Sequence, residues 1–146
     1  MDCLIHFMLP IASEVMVNQF GNYLCQRIME LAESRGLEKI VNQIIYDLVP
    51  ISLNIHGTRV IQILIERLAQ GILDGIKGQL SVIQKAKDKE APFEEMPGFV
   101  FTETHALHHK VLTQVIEALS IQVVDLTIDM HGNHVIQSLL VAVKAL

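Results

Sequence analysis

Apolar residues recur at helical spacing along most of the chain. Three segments show this clearly, and each begins after a glycine, namely Gly21, Gly57 or Gly132. Their apolar positions are Leu24, Ile28 and Leu31, then Val60, Ile61, Leu64, Ile65 and Leu68, and finally Val135, Ile136, Leu139, Leu140 and Val143. Spacings of three and four residues predict amphipathic helices with one buried stripe. We expect the first two helices to end at Gly36 and Gly71, because glycine is common just past a helix end.

Another helix is predicted before each of these segments. The candidates are Cys3–Val17, Leu37–Leu48 and His108–Ala118, with Pro10 either kinking the first or starting a new helix. Each unit would therefore be a pair of helices, and the units would cover about residues 3–36, 37–71 and 105–146. Stacked helix pairs make an all-α solenoid, in which neighbouring units share one continuous core.

The stretch of residues 72–104 does not follow this rhythm. Ile72–Lys89 could be a helix weakened by Gly75 and Gly78, and Lys85–Glu95 is highly charged. Pro92, Pro97 and Gly98 follow. We interpret the stretch as a long, partly mobile insertion that either pushes its neighbours apart or loops out of the stack; a degenerate extra repeat is the alternative.

The same nine-residue motif occurs three times. Its copies are Asn18–Gln26, Asn54–Gln62 and Asp129–Gln137, with glycines 36 and then 75 residues apart. Internal repetition at such a period is typical of solenoid proteins. The first residue of each copy is Asn or Asp, which caps a helix by accepting hydrogen bonds from its first backbone N–H groups.

Each motif also carries three polar or planar side chains on neighbouring helix positions. They are Asn22, Tyr23 and Gln26, then Thr58, Arg59 and Gln62, then Asn133, His134 and Gln137. The first and last of each set lie one turn apart on the same face, and the middle one borders that face. An unstacked base needs a planar surface beside polar groups that meet its edge. A solvated helix face is the simpler alternative, but threefold recurrence in register favours binding.

Composition limits which functions are plausible. The chain of 146 residues is 51% hydrophobic, lacks Trp and carries a formal net charge of −5. This charge argues against a generic basic nucleic-acid binder, so phosphate attraction would depend on a local strip such as Arg27, Arg59 and Lys39. Two cysteines form no disulfide framework, which favours a reducing compartment. We expect Cys25, at an apolar motif position, to be a buried thiol.

Several other interpretations are less well supported. The apolar first 17 residues lack a basic start, so we do not expect a signal peptide, and no segment is apolar for long enough to predict a membrane span. His105, His108 and His109 are expected to begin a surface helix rather than to bind a metal. His56 and His131 are expected to pack at helix starts, where the first unit has Phe20. No catalytic pattern appears, so we expect neither an enzyme nor a cofactor.

With these motifs the chain resembles the Pumilio (PUF) repeat family. The strings that carry the resemblance are Gly-Asn-Tyr-x-x-Gln at residues 21–26 and Gly-x-Arg-Val-Ile-Gln at residues 57–62. It covers residues 3–70 and about 107–146, and the units are most similar to the family's second to fourth repeats. The resemblance implies a right-handed-type superhelical α-solenoid that binds single-stranded RNA on its concave face. Since the family's domain usually has eight repeats, the chain is interpreted as part of such a domain.

The resemblance also implies a base preference for each unit. Asn22 with Gln26, and Asn133 with Gln137, are similar to the family's uracil-binding pair, whereas Thr58 with Gln62 is similar to its adenine-binding pair. Tyr23, Arg59 and His134 take the stacking role. Because the family runs antiparallel to its RNA, the implied sequence is 5′-UAU-3′ within a UGUA-type element of an mRNA 3′ UTR.

The resemblance further implies post-transcriptional regulation in the cytoplasm. The alternative is a PUF-like scaffold that binds protein, or RNA without base choice, for example in ribosome assembly in the nucleolus. Leu139, Leu140, Val143 and Leu146 have no following unit to cover them. Uncapped solenoid ends are adhesive, so self-association is a further expectation.

Overall fold

The computed structural model describes residues 1–88, 98, 100 and 102–146, and its regular elements are all helical. They are α1 Asp2–Met8, α2 Ala12–Val17, α3 Gly21–Leu31, α4 Ser34–Ile44, α5 Leu48–Leu53, α6 Gly57–Asp88, α7 Glu103–Ser120, α8 Val123–Ile128 and α9 Gly132–Ala145. A 3-10 turn over Leu9–Ile11 separates α1 from α2. Pro10 therefore lies where one helix gives way to another, which was one of the two predicted outcomes, and the predicted all-α class is confirmed.

The helices stack in three parallel series rather than two. Helices α1, α4 and α7 contact one another in turn, as do α2, α5 and α8, and as do α3, α6 and α9. We call the last series the motif row, because its helices carry the three motifs, and the first series the opposite row. Each unit thus has three helices, so the predicted helix pairs are wrong. The six-residue helices α5 and α8 are too short for apolar periodicity to reveal them.

Neither glycine predicted to end a helix does so. Gly36 is buried inside α4, where an added Cβ would lie 2.8 Å from the Cδ1 atom of Ile5. Gly71 is buried inside α6, which continues for 32 residues to Asp88. Both glycines allow another element to approach the helix closely, and a sequence pattern cannot distinguish that role from a helix end.

A continuous aliphatic core connects the three units. Its largest fully buried side chains include Ile28 in the first unit, Ile40 and Leu64 in the second and, at 0% exposure, Val115 and Val135 in the third. Burying such a side chain contributes about 1.5–3 kcal/mol relative to exposure. Cys25 belongs to this core, and its burial raises the pKa of the thiol to about 11, so the predicted buried thiol is confirmed.

The insertion does not separate the second and third units. Helix α9 packs along α6, and the continuation of α6 past Gly71 packs on α7. The Thr58 hydroxyl donates a 3.0 Å hydrogen bond to the His131 carbonyl, directly across the two units. Of the two predicted consequences, displacement of the third unit is therefore wrong. Residues 89–97, which hold both prolines and most of the charged stretch, lie outside the described residues, and so does the test of their predicted mobility.

Candidate nucleic-acid interface

Each motif helix begins with the predicted side-chain cap. Asn18 Oδ1 accepts hydrogen bonds from the backbone N–H groups two and three residues later, both at 2.9 Å. Asn54 accepts the equivalent bonds at 2.8 and 3.1 Å, and Asp129 at 2.8 and 2.7 Å. The N–H groups of Gly132 and His131 favour the carboxylate and lower the pKa of Asp129. These caps satisfy N–H groups that the helices cannot pair internally.

The motif glycine is required because the chain passes close to the end of the preceding short helix. A Cβ on Gly21 would lie 2.6 Å from the Val15 carbonyl oxygen, and one on Gly132 would lie 2.8 Å from that of Leu126. A Cβ on Gly57 would meet the carbonyl oxygen six residues earlier as well. The repeated glycine therefore sets the angle between the short helix and the motif helix in all three units.

In the first unit, the motif asparagine is held by its own helix start. Asn22 is buried, and its Nδ2 donates to the Asn18 and Gln19 carbonyls at 2.9 and 3.0 Å. Gln26 Nε2 in turn donates a 2.8 Å bond to Asn22 Oδ1. No described residue bonds to the side-chain Oε1 of Gln26 or to its second amide proton. The pair thus presents one acceptor and one donor, supplied by the glutamine.

The third unit repeats this arrangement. Asn133 Nδ2 donates a 2.8 Å bond to the Asp129 carbonyl, and Gln137 Nε2 donates a 3.1 Å bond to Asn133 Oδ1. Gln137 is exposed and Asn133 is half-buried. The predicted pairing of positions one turn apart is therefore present in both asparagine-containing units.

The middle unit differs because threonine replaces asparagine. Thr58 is buried, and its hydroxyl donates to the His131 carbonyl while lying 3.4 Å from Gln62 Nε2. Arg59 lies beside them, with its Nη1 atom 3.4 Å from Gln62 Oε1 and 3.8 Å from a carboxylate oxygen of Glu66. Here the motif hydroxyl joins two units, and the glutamine is held from both ends.

The predicted stacking residues all lie on the surface of the motif row. Tyr23, Arg59 and His134 are exposed. His134, Gln62 and Gln137 line one groove of about 420 Å³ between α6 and α9. The structure thus brings together predicted residues of the second and third units.

Acidic groups that sequence reasoning missed also lie in these grooves. Glu30 and Glu66 line a groove of about 310 Å³ between α3 and α6, together with Arg59. Arg27 bonds to Glu30 at 2.7 Å, so it is neutralised locally. Each glutamate follows a motif glutamine by four residues, and extending the i, i+4 pattern by one turn would have found both. Lys39 lies on α4 in the opposite row, so the expected basic strip is not assembled.

The predicted histidine positions have mixed outcomes. His105 and His108 pack against Gly75 and Gly71 of α6, and His108 is buried with neither ring nitrogen hydrogen-bonded. The expectation of a surface position is therefore wrong for His108.

Among the described residues no three ligating side chains cluster as a metal site. None of the described helices is long and apolar enough to cross a membrane.

Comparison with known proteins identifies the family. The model of the Pumilio-family RNA-binding repeat matches residues 12–45, 47–70 and 122–142, more than half of the chain. A Pumilio domain-containing protein of Schizosaccharomyces pombe is 32% identical over 131 residues, which are 90% of this chain and 14% of that protein. Pumilio homolog 8 of Arabidopsis thaliana, named as chloroplastic, is 28% identical over 94% of this chain and 20% of its own length. The chain thus spans a small part of these relatives.

One solved structure was also matched, a Puf4 mutant bound to the Cox17 RNA 3′ UTR recognition sequence. It is 24% identical, and the alignment covers 97% of this chain and 46% of that one with a TM-score of 0.46, too low to support an argument from shape. The family assignment depends instead on the repeat model and on the three motif helices. RNA-binding repeats of this kind are not enzymes, in agreement with the prediction from sequence. The chain belongs to the Pumilio family of RNA-binding repeats.

Proposed function

We propose that this chain binds single-stranded RNA through its motif row, one base to each unit. The observation that carries the proposal is the pair of asparagine-held glutamines, Gln26 and Gln137, each beside an exposed planar side chain. A base inserted there would stack on Tyr23 or His134 and meet the glutamine amide with its edge. The membership of the chain in a family of RNA-binding repeats supports the same conclusion.

The chemistry of the glutamine amide suits uracil in the first and third units. A glutamine side chain offers one carbonyl acceptor and an NH₂ donor. Uracil offers an N–H donor next to carbonyl acceptors on its pairing edge, so the two groups are complementary. Asn22 donates to two backbone carbonyls and Asn133 to one, and each accepts a bond from its glutamine. The asparagines therefore orient the glutamines, which are left to make the base contact.

The middle unit is proposed to bind adenine, as its resemblance to the family's adenine-binding pair implies. Thr58 Oγ1 lies 3.4 Å from Gln62 Nε2, and Arg59 Nη1 lies 3.4 Å from Gln62 Oε1, so these two residues would orient the glutamine. Its second amide proton and second carbonyl lone pair would meet the base. The proposed element is 5′-UAU-3′, with the third unit at its 5′ end, in a UGUA-containing mRNA 3′ UTR. Post-transcriptional regulation in the cytoplasm is part of the same proposal.

Affinity is expected to be weak for the isolated chain. Stacking contributes about 1–3 kcal/mol per base, so three bases give roughly 3–9 kcal/mol before ordering costs are subtracted. After those costs the net binding free energy corresponds to a micromolar or weaker Kd. Since Arg27 and Arg59 already pair with glutamates, few phosphate contacts are expected and the salt dependence should be shallow.

The test is fluorescence anisotropy with a labelled RNA carrying UGUAUAUA, compared with an RNA in which UAU is replaced by CCC. The loss variant is Asn22→Ala/Gln26→Ala. The matched control is Asn42→Ala/Gln43→Ala, which removes the same two residue types from exposed positions on α4, in the opposite row. We expect binding to be lost with the CCC RNA and with the loss variant, and to be retained by the control.

Equal binding of both RNAs, or equal loss in both variants, would contradict recognition by the motif row. A scaffold that binds protein, or RNA without base choice, is the second candidate function. It is favoured by Glu66, the charged residue among those that line the larger groove; in the smaller groove Arg59 and Arg67 offset Glu30 and Glu66. A nucleolar location would accompany that function.

A further inference from the structure

The middle unit binds its motif glutamine less closely than the other two units do. Gln26 and Gln137 donate to a motif asparagine at 2.8 and 3.1 Å. In the middle unit the corresponding distance, from Gln62 Nε2 to the Thr58 hydroxyl oxygen, is 3.4 Å. Because a hydrogen bond weakens as its length grows, the threonine restrains its glutamine amide less than either asparagine does.

The orientation of this amide decides which base edge it can pair with. A glutamine amide has a carbonyl acceptor at one end and an NH₂ donor at the other, and a half-turn about its last bond exchanges the two. Adenine presents an amino donor beside a ring-nitrogen acceptor, whereas uracil presents a carbonyl acceptor and an N–H donor at the equivalent positions. An amide that turns over freely would therefore pair with either base, and a fixed amide would discriminate between them.

A second contact restrains the Gln62 amide from its carbonyl end. Arg59 Nη1 lies 3.4 Å from Gln62 Oε1, and a guanidinium group can only donate hydrogen bonds. The carbonyl end of the amide must therefore face Arg59. Since Arg59 makes this contact with the edge of its planar group, a face of the group remains free to stack on a base.

Glu66 restrains Arg59 in turn. Its Oε1 atom lies 3.8 Å from the same Nη1 atom, and it follows Arg59 by two turns on α6. The side chains of Arg59 and Glu66 are 53% and 57% exposed, so without a partner the arginine would be free to extend into solvent. The ion pair keeps its guanidinium group near Gln62.

The equivalent positions show that this arrangement is particular to the middle unit. In the first unit, Glu30 pairs with Arg27 at 2.7 Å, and the residue in the stacking position is Tyr23. In the third unit, Val141 stands where the middle unit has Glu66. A glutamate and a stacking arginine therefore occur together in the unit whose glutamine is restrained least by its motif residue.

We propose that Glu66 is a positioning residue for base choice in the middle unit. By restraining Arg59, it keeps the edge of the guanidinium group on the Gln62 carbonyl, so that the amide does not turn over. This role rests on the proposed function, because base choice requires that the motif row binds RNA. Its local consequence, an ordered Gln62 amide, is a property of the free protein as well.

Anisotropy with CCUAUCC and CCUUUCC measures the ratio of the two affinities. Glu66→Ala removes the carboxylate and leaves a residue that favours a helix. Whichever base the parent chain prefers, we expect the ratio to move toward one by about twofold to fivefold, the scale of an exposed ion pair. The loss of one negative charge should raise the affinity for both RNAs alike, so that effect cancels in the ratio.

The matched control is Glu30→Ala. It removes the same residue type from the equivalent position and from the same groove, but its partner Arg27 is not a motif residue. The ratio should therefore stay at the parent value. In an Arg59→Ala chain, Glu66→Ala should no longer change the ratio, because its effect passes through Arg59. Circular dichroism checks that each variant is folded.

NMR of the free protein gives a readout that does not need RNA. The side-chain amide signals of Gln62 should move toward those of exposed glutamines in Glu66→Ala and stay in place in Glu30→Ala. If they do so but neither RNA binds the parent chain, the proposed function fails, whereas the ordering of the amide by Glu66 stands.

Two results would overturn the positioning role itself. One is a parent chain that distinguishes the two RNAs while Glu66→Ala keeps the same ratio, or while Glu30→Ala lowers the ratio as much. The other is a set of Gln62 amide signals that does not change in Glu66→Ala.

Discussion

The first and third units hold their motif residues within one helix, whereas the middle unit uses the same position to contact its neighbour. Asn22 and Asn133 donate to carbonyls at the start of their own helices, at 2.9 and 2.8 Å. Thr58 donates across to the His131 carbonyl of the next unit. The residue after the motif glycine therefore contacts a glutamine in all three units. In the middle unit, as Thr58, it also bonds to the neighbouring unit.

In all three units the motif glycine lies against the backbone of the preceding short helix. Replacing one of these glycines should give the largest loss of stability. Gly57→Ala would place a Cβ against the Ile51 carbonyl oxygen, which is backbone and cannot easily move. We expect a loss of about 1–3 kcal/mol in the free energy of unfolding, as for other overpacked sites. Urea unfolding followed by circular dichroism measures it. An unchanged midpoint would show that the short helix and the motif helix are not fixed by this contact.

Removing the Thr58 hydroxyl should give the next largest loss of stability, because it breaks a hydrogen bond between the second and third units. Thr58→Val keeps the shape but removes the bond between the units, and the His131 carbonyl keeps only its 3.1 Å bond from the His134 N–H, so the expected cost is about 0.5–1.5 kcal/mol. The matched control is Thr113→Val, because that exposed hydroxyl bonds only to a carbonyl of its own helix. Equal losses in urea unfolding for both variants would contradict the role of Thr58 between units.

The α7–α6 contact should make stability depend on pH. Burial of the ring is the main cause that lowers the pKa of His108, and the positive charge of Arg67 is the next. The Thr104 backbone acts in the direction of a higher pKa, although neither ring nitrogen has a hydrogen-bond partner. Below about pH 6.5, the ordinary pKa of a histidine side chain, His108 therefore takes up a proton in the unfolded chain but not in the folded chain. Stability is full above that pH and falls by up to about 1.4 kcal/mol per pH unit below it.

Urea unfolding at neutral pH and at mildly acidic pH measures this slope. His108→Leu should reduce it, because leucine fills the buried site without a titrating group. The lowered pKa of Asp129 places its own effect at far more acidic pH, outside this window. A variant with an unchanged slope would assign the acid sensitivity to another group.

The smallest change in stability should come from the second half of α6, the part by which this helix is longer than the other two motif helices. A Cβ on Gly78 meets nothing within 4 Å, so Gly78→Ala should stabilise the chain by about 1 kcal/mol through helix propensity. Gly71→Ala should destabilise it, because its Cβ would lie 2.6 Å from the His108 ring. Thermal unfolding of the two variants should shift the midpoint in opposite directions, and shifts of the same sign would contradict close packing of α7 on Gly71.

Local features of this molecule could be predicted from its sequence. The caps by Asn18, Asn54 and Asp129 and the pairing of Asn22 with Gln26 depend only on residues within four positions of one another. Each was recognisable because it recurs in register. The apolar stripes of the motif helices were predictable for the same reason.

Features that depend on distant residues were not predictable. Gly36 and Gly71 were assigned to helix ends, although Ile5 and His108 pack on them from elsewhere in the chain. The bond from Thr58 to His131 joins residues 73 positions apart across an insertion, and no local pattern encodes it. The six-residue helices α5 and α8 show no complete apolar period, so only their packing between longer helices reveals them.

The most direct test of the central claim is a change of base preference at the middle unit. Thr58→Asn gives that unit the asparagine–glutamine pair of its neighbours. Anisotropy would compare CCUAUCC with CCUUUCC for the parent chain and the variant. We expect the parent to prefer adenine at the middle position and the variant to prefer uracil. If the variant keeps the parent's preference, or if neither chain distinguishes the two RNAs, the motif row does not recognise one base per unit.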